Sequence, residues 1–288
     1  RMEDTMSAMA DIVTGFILDK MRSTFSSPVE YELILDSGKV LLNPLIGKVL
    51  RLEYLGEMRC LNCSDPRVFQ QGYCFRCTQT LPQCDFCILS PDKCHFHLGT
   101  CRDESFAQSH CFIPHLVYLS YSSHVKVGIT RKGNETTRWV DQGAVAAVPL
   151  LQMRNRRASG RVEARLKEWF SDRTSWQKML KQQGPDLEAL QNARKEAISK
   201  IEEMGKDLLQ GEDEPEFKVL SDAEIQEIHY PVEKFPDKVK SYDLKKLGSV
   251  EDRLMGIKGQ YLVFEGGVLN LRKYQGYRIK FGSDLNIS

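Results

Sequence analysis

A block of nine cysteines within 52 residues, from Cys60 to Cys111, restricts the fold of this 288-residue chain more than any other feature. The N-terminal stretch RMEDTMSAMADIVTGFILDKMRS lacks the order of basic, apolar and small residues that marks a signal peptide, so we expect a cytoplasmic protein. In a reducing compartment, clustered cysteines are more often metal ligands than disulfide partners. We therefore expect this block to fold around metal ions.

The first half of the block contains two Cys-x2-Cys pairs. Cys60 and Cys63 form one pair, Cys74 and Cys77 form the other, and ten residues separate the pairs. Each pair places two thiolates on one turn, and two such turns close a tetrahedral site with Zn–S bonds of about 2.3 Å. The spacing predicts a closed structural Zn²⁺ site of the zinc-ribbon type, and an iron–sulfur cluster is the alternative.

The second half of the block is less regular. It holds five cysteines and three nearby histidines, which gives eight candidates for the four ligands that zinc needs. We predict a second zinc ion bound by Cys84, Cys87 and Cys101, with either Cys94 or Cys111 as the fourth ligand. One of the histidines could replace a thiolate, and the three are His95, His97 and His110.

Alternation of apolar and polar residues predicts β-strands near both ends of the chain. Residues 29–56 and 259–283 alternate in this way and contain β-branched residues and glycine turns. We expect these two β segments to pair, which would make the middle of the chain an insertion. The N-terminal stretch before them is mixed in character and predicts a helix.

Apolar residues recur with helical spacing from Arg161 to Leu208. The spacing predicts three helices, the second of which is capped by Ser175. The first carries one apolar stripe, formed by Val162, Leu166, Trp169 and Phe170. A charged, proline-containing stretch, QGEDEPEF, predicts a linker after the third helix.

Positive charge is concentrated in the same part of the chain. Residues 126–181 contain 13 Lys or Arg and 5 Asp or Glu, although the net charge of the whole chain is only +1. Concentrated basicity attracts phosphates, and a solvated charged surface is the alternative. The stretch RNRRASGR predicts a basic loop that follows a nucleic-acid backbone. The predicted nucleic-acid contacts are Arg131, Arg154, Arg156, Arg157 and Arg161.

A hairpin pattern follows the cysteines directly, in the stretch LVYLSYSSHVKVGIT, and is followed by Arg138 and by VEARLKEWF with Glu163. At these residues, over about 114–172, the chain resembles the GIY-YIG endonuclease superfamily. It is most similar to the phage-type branch, whose second half-motif is Lys-[Val/Ile]-Gly-Ile-Thr. The whole chain also resembles an uncharacterised bacterial family of unknown function that combines cysteines with such a domain.

The resemblance implies a three-stranded sheet with helices that holds one Mg²⁺ or Mn²⁺ ion. It implies that Tyr118 starts the attack or orients a water, that Arg138 binds the scissile phosphate, and that Glu163 binds the metal. Gly128 matches the glycine of the second half-motif. Lys126 replaces the second tyrosine, and because a protonated lysine is a poor base, it could instead neutralise a phosphate.

Together, the patterns and the resemblance predict an α+β protein in which zinc-ribbon modules precede a small GIY-YIG-like sheet. We divide the chain into an N-terminal helix and β segment (1–56), a cysteine-rich zinc-binding region (57–112), a GIY-YIG-like domain (113–181), a charged helix and linker (182–230) and a C-terminal β segment (231–288).

Three functions fit these features. The first is a metal-dependent endonuclease that cleaves phosphodiesters and uses its zinc modules to dock on DNA or RNA. The second, which Lys126 favours, is a protein that binds or modifies nucleic acid without cutting it. The third is a protein-interaction module that uses the acidic helix and the stretch YPVEKFP. No run of about 18 apolar residues occurs, so we expect no membrane partner.

Overall fold

The computed structural model describes residues 12–170, 175–205 and 217–283. Helices and strands both contribute substantially, and the ladders between the named strands are antiparallel, which confirms the predicted α+β class. The linker predicted at QGEDEPEF lies outside the described residues, apart from its last residue, Phe217. In the part of the chain that is described, no helix combines the length and the apolar character needed to cross a membrane.

The strands are β1 (Val13–Phe16), β2 (Arg22–Thr24), β3 (Glu30–Leu35), β4 (Gly38–Leu41), β5 (Val49–Met58), β6 (His115–Tyr121), β7 (Val125–Arg131), β8 (Ala146–Met153), β9 (Phe217–Val219), β10 (Gln226–Glu227), β11 (Ser249–Lys258), β12 (Tyr261–Phe264), β13 (Val268–Asn270) and β14 (Tyr277–Ser283). The α-helices are α1 (Phe75–Thr80), α2 (Phe86–Leu89), α3 (Glu104–His110), α4 (Glu135–Asp141), α5 (Arg156–Leu166), α6 (Trp176–Lys181), α7 (Leu187–Met204) and α8 (Leu244–Leu247).

The chain forms two compact units. The first combines the described parts of 1–22 and 230–288 with residues 30–75, and the second combines 23–29 with the described parts of 76–229. Each unit therefore draws on more than one of the five segments predicted above.

The first unit contains a six-stranded sheet in the order β1-β14-β5-β11-β12-β13. Strand β5 lies between two C-terminal strands, since Leu52 is opposite Val250 of β11 and opposite Phe281 of β14. Leu52, Val250 and Phe281 are all buried. The predicted pairing of the N- and C-terminal β segments is confirmed.

The N-terminal stretch differs from its prediction. Residues 1–11 lie outside the described residues, and the remainder forms strands β1 and β2 where we expected a helix. Strand β1 pairs with β14, with Val13 opposite Phe281. Pairing with a strand more than 260 residues away in sequence determines this conformation, and local periodicity does not report such long-range contacts.

The second unit is built on the β6–β7 hairpin. Strand β8 pairs with the other side of β6, and the short strands β9 and β10 pair with the outer edge of β8. Thus three long strands, in the order β8-β6-β7, form most of the sheet, and two short ones extend it beyond β8.

Helices α5 and α7 cover one face of this sheet. The apolar stripe predicted for α5 is largely confirmed, because Val162, Leu166 and Phe170 are buried in this core, whereas Trp169 is 40% exposed. Helix α6 begins after Ser175, whose hydroxyl accepts the Lys178 N–H, which is the predicted cap. On β6 and β7, the residues that enter this core are Val117, Leu119, Val127 and Ile129.

Candidate functional site

The predicted ligands Cys60, Cys63, Cys74 and Cys77, which we call the thiol cluster, lie together with all four sulfur atoms within 4.8 Å of one another. The Cys63 and Cys74 sulfurs are 3.6 Å apart. That spacing is close to the edge of about 3.8 Å that four Zn–S bonds of about 2.3 Å give in a tetrahedron. All nine cysteines fall within the described residues, and no disulfide bond joins any two of them.

Backbone groups prepare the thiol cluster for a cation. The Cys74 N–H donates to the Cys60 sulfur at 3.3 Å. Burial raises the pKa of the Cys60 thiol, but hydrogen bonds from the backbone of Cys63, Cys74 and Asn62 outweigh burial and lower this pKa to about 6. A thiolate at neutral pH is the form that binds metal, so the donor set fits one Zn²⁺ ion.

The remaining cysteines are arranged differently from the predicted second site. One cavity is lined by Cys87, Cys94, Cys101 and Cys111, and Cys84 is not among its lining residues. We call these four lining residues the second cysteine group. Both alternatives for the fourth ligand therefore reach the cavity, whereas the predicted ligand Cys84 does not.

The backbone around Asp85 separates Cys84 from Cys87. Cys84 ends a 3-10 turn that begins at Pro82, and Cys87 lies in α2. Between them, Asp85 is extended, with φ −66° and ψ 150°. The two cysteines thus belong to separate turns, and of the two only Cys87 lines the cavity.

Asp85 also brings a charged set to the edge of the same cavity. Its carboxylate lies 3.0 Å from Arg102 Nε and 3.4 Å from His95 Nε2. Burial raises the pKa of Cys87 to about 11, and the charges of Asp85 and of the other thiols of the group add to this. The predicted alternative ligands His97 and His110 do not line the cavity.

Tyr118 and Gly128 are directly opposite each other on β6 and β7. Tyr118 is fully buried, its ring meets Trp139 edge-on at 5.9 Å, and its hydroxyl donates to Gln142 Oε1 at 2.8 Å. A Cβ at position 128 would lie 2.6 Å from the Tyr118 oxygen. Glycine is therefore required at position 128, because the tyrosine ring occupies the space of its side chain.

Arg138 and Glu163 lie within electrostatic reach of Tyr118. Burial raises the pKa of Tyr118, the Arg138 guanidinium opposes this without cancelling it, and the Glu163 carboxylate raises the pKa further. Glu163 Oε2 is 3.7 Å from Lys167 Nζ one turn along the chain. The structure thus brings together a tyrosine from β6, an arginine from α4 and a glutamate from α5. We call Tyr118, Lys126, Gly128, Arg138 and Glu163 the hairpin site.

Lys126 lies on the same face of the hairpin as Tyr118 and Gly128, because alternate residues of a strand share a face. It is only 6% exposed and stands opposite Ser120. The Ser120 hydroxyl is buried and has no hydrogen-bond partner among the described residues. This face therefore holds the buried Lys126 side chain opposite a serine whose hydroxyl has no hydrogen-bond partner in the described part of the chain.

The predicted basic loop is mostly helix. Asn155 caps α5 by accepting the Ala158 N–H at 2.9 Å, so Arg156, Arg157 and Arg161 lie in the first two turns of α5. The Arg156 guanidinium donates to the Ile88 carbonyl at 2.6 Å and is therefore engaged within the fold. Of the remaining predicted contacts, Arg154 is exposed and Arg131, Arg157 and Arg161 are partly exposed.

Two residues near these strands escaped the sequence prediction. Gln142 accepts the hydrogen bond of the Tyr118 hydroxyl, and no sequence motif identifies this glutamine. His115 on β6 is fully buried, and burial lowers its pKa to about 4. Its Nδ1 bonds the Ile113 carbonyl at 2.8 Å, while Nε2 has no hydrogen-bond partner in the described part of the chain. Its position in an alternating strand, facing the same way as Val117, is the signal that could have revealed its burial.

Comparison with known proteins identifies the family of this chain. The family described as "Protein of unknown function (DUF2797)" matches residues 47–279, which include every residue of the thiol cluster and of the hairpin site. No curated protein and no solved structure matches the chain. The predicted likeness to an uncharacterised family is therefore confirmed, and the chain belongs to the DUF2797 family.

Proposed function

We propose that this protein acts on nucleic acid as a metal-dependent endonuclease of the GIY-YIG type, with the hairpin site as its active site. The observation that carries the proposal is that Arg138 and Glu163, from two different helices, both lie close enough to Tyr118 to influence its pKa. Gly128 supports it, since this residue of the second half-motif makes room for the tyrosine of the first.

Each residue has a role that follows from its chemistry. Arg138 offers a planar fork of donors that matches the non-bridging oxygens of a phosphate. Glu163 would hold Mg²⁺ or Mn²⁺, and a single carboxylate suits an ion that keeps much of its water. When bound, such an ion polarises the phosphate and lowers the pKa of bound water. The Glu163 carboxylate is partly accessible, with 13% of its side chain exposed.

The Tyr118 hydroxyl is suited to orienting neighbouring polar groups. Its raised pKa keeps the hydroxyl protonated at neutral pH, so it donates a hydrogen bond and does not accept a proton. Gln142 holds the hydroxyl in place at 2.8 Å. Tyr118 thereby fixes the polar surroundings of the phosphate without taking part in proton transfer.

The reaction is a hydrolysis. The oxygen of a water molecule forms a bond to phosphorus, the ester P–O bond breaks, and the proton of the water passes to solvent. The leaving oxygen needs one proton, which the Lys126 ammonium can supply and recover from solvent. This role would explain a lysine in place of the second tyrosine.

Substrate docking would use the basic surface and the zinc modules. Arg154 is exposed just before α5, and Arg157 and Arg161 lie on the first turns of the helix that carries Glu163. Cations here would neutralise phosphates that flank the scissile one.

A second function, binding or modification of nucleic acid without cleavage, is favoured by one observation. Tyr118 is buried, bonded to Gln142 and protonated, and Lys126 replaces the other tyrosine. The hairpin site therefore contains no tyrosine that could act as a base. A protein that keeps the phosphate-binding residues and lacks a base would bind without cutting.

The test is cleavage of labelled single- and double-stranded DNA and RNA, with and without added Mg²⁺ or Mn²⁺. Glu163→Gln removes the metal carboxylate, and Glu168→Gln is the matched control, because Glu168 is exposed and its carboxylate pairs with Arg165 at 3.0 Å. We expect Glu163→Gln to slow cleavage at least about 100-fold, since a catalytic metal contributes several kcal/mol. Binding without cleavage in the wild type would support the second function, and neither binding nor cleavage would refute both.

A further inference from the structure

We propose that the second unit contains its own metal centre, in which Cys87, Cys94, Cys101 and Cys111 bind one zinc ion. The centre differs from the one expected from spacing, because Cys84 is excluded and Cys94 and Cys111 both take part. It is also separate from the thiol cluster, with which it shares no residue.

The cavity carries the proposal. All four thiols line it, and the other walls are largely apolar, formed by Ile88, Phe96, Phe106, Ala107 and Phe112. The four thiols form a soft donor set, which selects zinc over magnesium or calcium, but no three of their sulfur atoms lie within 4.8 Å of one another, so one zinc ion would have to draw these loops inward. Each of the four is partly buried, so the thiols are held by the fold and are not spread over the surface.

Asp85 and His95 are poorer ligands than the thiols, although both lie close to Cys87. The Asp85 carboxylate already pairs with Arg102 at 3.0 Å, and a metal ion bound there would sit next to that cation. Both His95 nitrogens have partners, since Nδ1 lies 2.7 Å from the Thr100 hydroxyl and Nε2 lies 3.4 Å from Asp85. We assign these residues to the outer layer that supports the centre.

The surrounding chain is tied to helix α5. The Cys111 carbonyl accepts the Arg156 N–H at 2.8 Å, and the Ile88 carbonyl accepts the Arg156 guanidinium at 2.6 Å. Gly160 lets α5 approach closely, because a Cβ there would lie 2.6 Å from Pro91 Cβ. A metal ion in the centre would fix the loops that hold this helix. Any effect of this metal centre on the role of Glu163 rests on the proposed function, but the existence of the centre does not depend on that function.

The first test counts metal. Full-length protein purified with zinc is analysed for zinc per chain, in the wild type and in Cys84→Ser, Cys94→Ser and Cys111→Ser. We expect two zinc ions per chain in the wild type and in Cys84→Ser, and one in Cys94→Ser and in Cys111→Ser. One zinc in the wild type, or loss of zinc in Cys84→Ser alone, would overturn the assignment.

A second measurement avoids variants that do not fold. Brief alkylation of the native wild-type protein, followed by mass mapping, reports which thiols a metal protects. We expect Cys84 to react first and the eight cysteines of the two centres to react only after denaturation with chelator. Alkylation of Cys94, Cys101 or Cys111 at the rate of Cys84 would contradict a four-thiol centre. Neither readout depends on cleavage, so a failure here is distinguishable from a failure of the proposed endonuclease.

Discussion

The thiol cluster and the hairpin site differ in the features that decide what a metal ion can do there. The thiol cluster draws four soft ligands from 18 consecutive residues, and four thiolates complete the coordination of zinc. The hairpin site offers one carboxylate, Glu163, among a tyrosine and cations. A metal ion held by one carboxylate keeps positions open for water and phosphate. The closed arrangement of the thiol cluster suits stabilisation of the fold, whereas a metal with open positions at the hairpin site would suit catalysis.

The largest expected effect comes from breaking the thiol cluster. Cys74→Ser should remove its zinc and lower the thermal midpoint strongly, because structural zinc contributes apparent binding free energies of about 10 kcal/mol or more in small zinc domains. Zinc content and thermal unfolding measure the change, with Cys84→Ser as the control. An unchanged midpoint in zinc-free Cys74→Ser would show that the cluster is not structural.

Acid should destabilise the hairpin strands through His115. Because its folded pKa of about 4 lies below the unfolded value of about 6.5, the unfolded chain binds more protons between these pH values. The contribution to stability is full above pH 6.5 and is lost as the pH falls towards 4, by roughly 2–3 kcal/mol. Denaturant unfolding at several pH values measures this loss.

His115→Gln should flatten that pH dependence, whereas His97→Gln should leave it unchanged because His97 is exposed. A wild-type slope that persists in His115→Gln would assign the acid sensitivity to other groups, such as the thiols.

Gly128→Ala tests whether the Tyr118 ring imposes glycine at position 128. The added Cβ meets the Tyr118 oxygen and ring, so we expect a loss of about 1–3 kcal/mol in the free energy of unfolding. The loss should be smaller in a Tyr118→Ala background, where the space is open. Equal losses in both backgrounds, measured by denaturant unfolding, would mean that the ring does not impose glycine.

The smallest expected effect concerns a single phosphate contact. Arg154→Gln should weaken nucleic-acid binding at low salt and reduce the slope of log K against log salt by about 1. Arg156→Gln should instead lower thermal stability, because this guanidinium bonds the Ile88 carbonyl. If both variants changed the slope equally and neither changed stability, Arg156 would be a phosphate contact as first predicted.

The regular parts of this molecule could be predicted from sequence because their signals are local. The two Cys-x2-Cys pairs predict the thiol cluster. Alternation of apolar and polar residues predicts the hairpin and the paired terminal strands. The second cysteine group could not be predicted, since its membership depends on the extended backbone at Asp85 and on which turns face one cavity.

Long-range contacts account for the other differences between the sequence predictions and the structure. The N-terminal stretch forms strands because β14 is available to pair with β1. Gln142 and His115 gain their importance from burial beside β6, which neither residue reveals by itself. The resemblance suggested Tyr118, Arg138 and Glu163, but only the fold brings Arg138 and Glu163 within electrostatic reach of Tyr118.

The central claim is that thiols maintain the fold and Glu163 carries the chemistry. The most direct measurement follows zinc content, thermal midpoint and Mg²⁺-dependent cleavage in one preparation of Glu163→Gln. We predict zinc content and midpoint equal to those of the wild type, because the Glu163–Lys167 pair contributes less than about 1 kcal/mol, together with loss of cleavage. Cleavage that persists in the zinc-replete variant, or zinc that is lost with Glu163, would contradict the account.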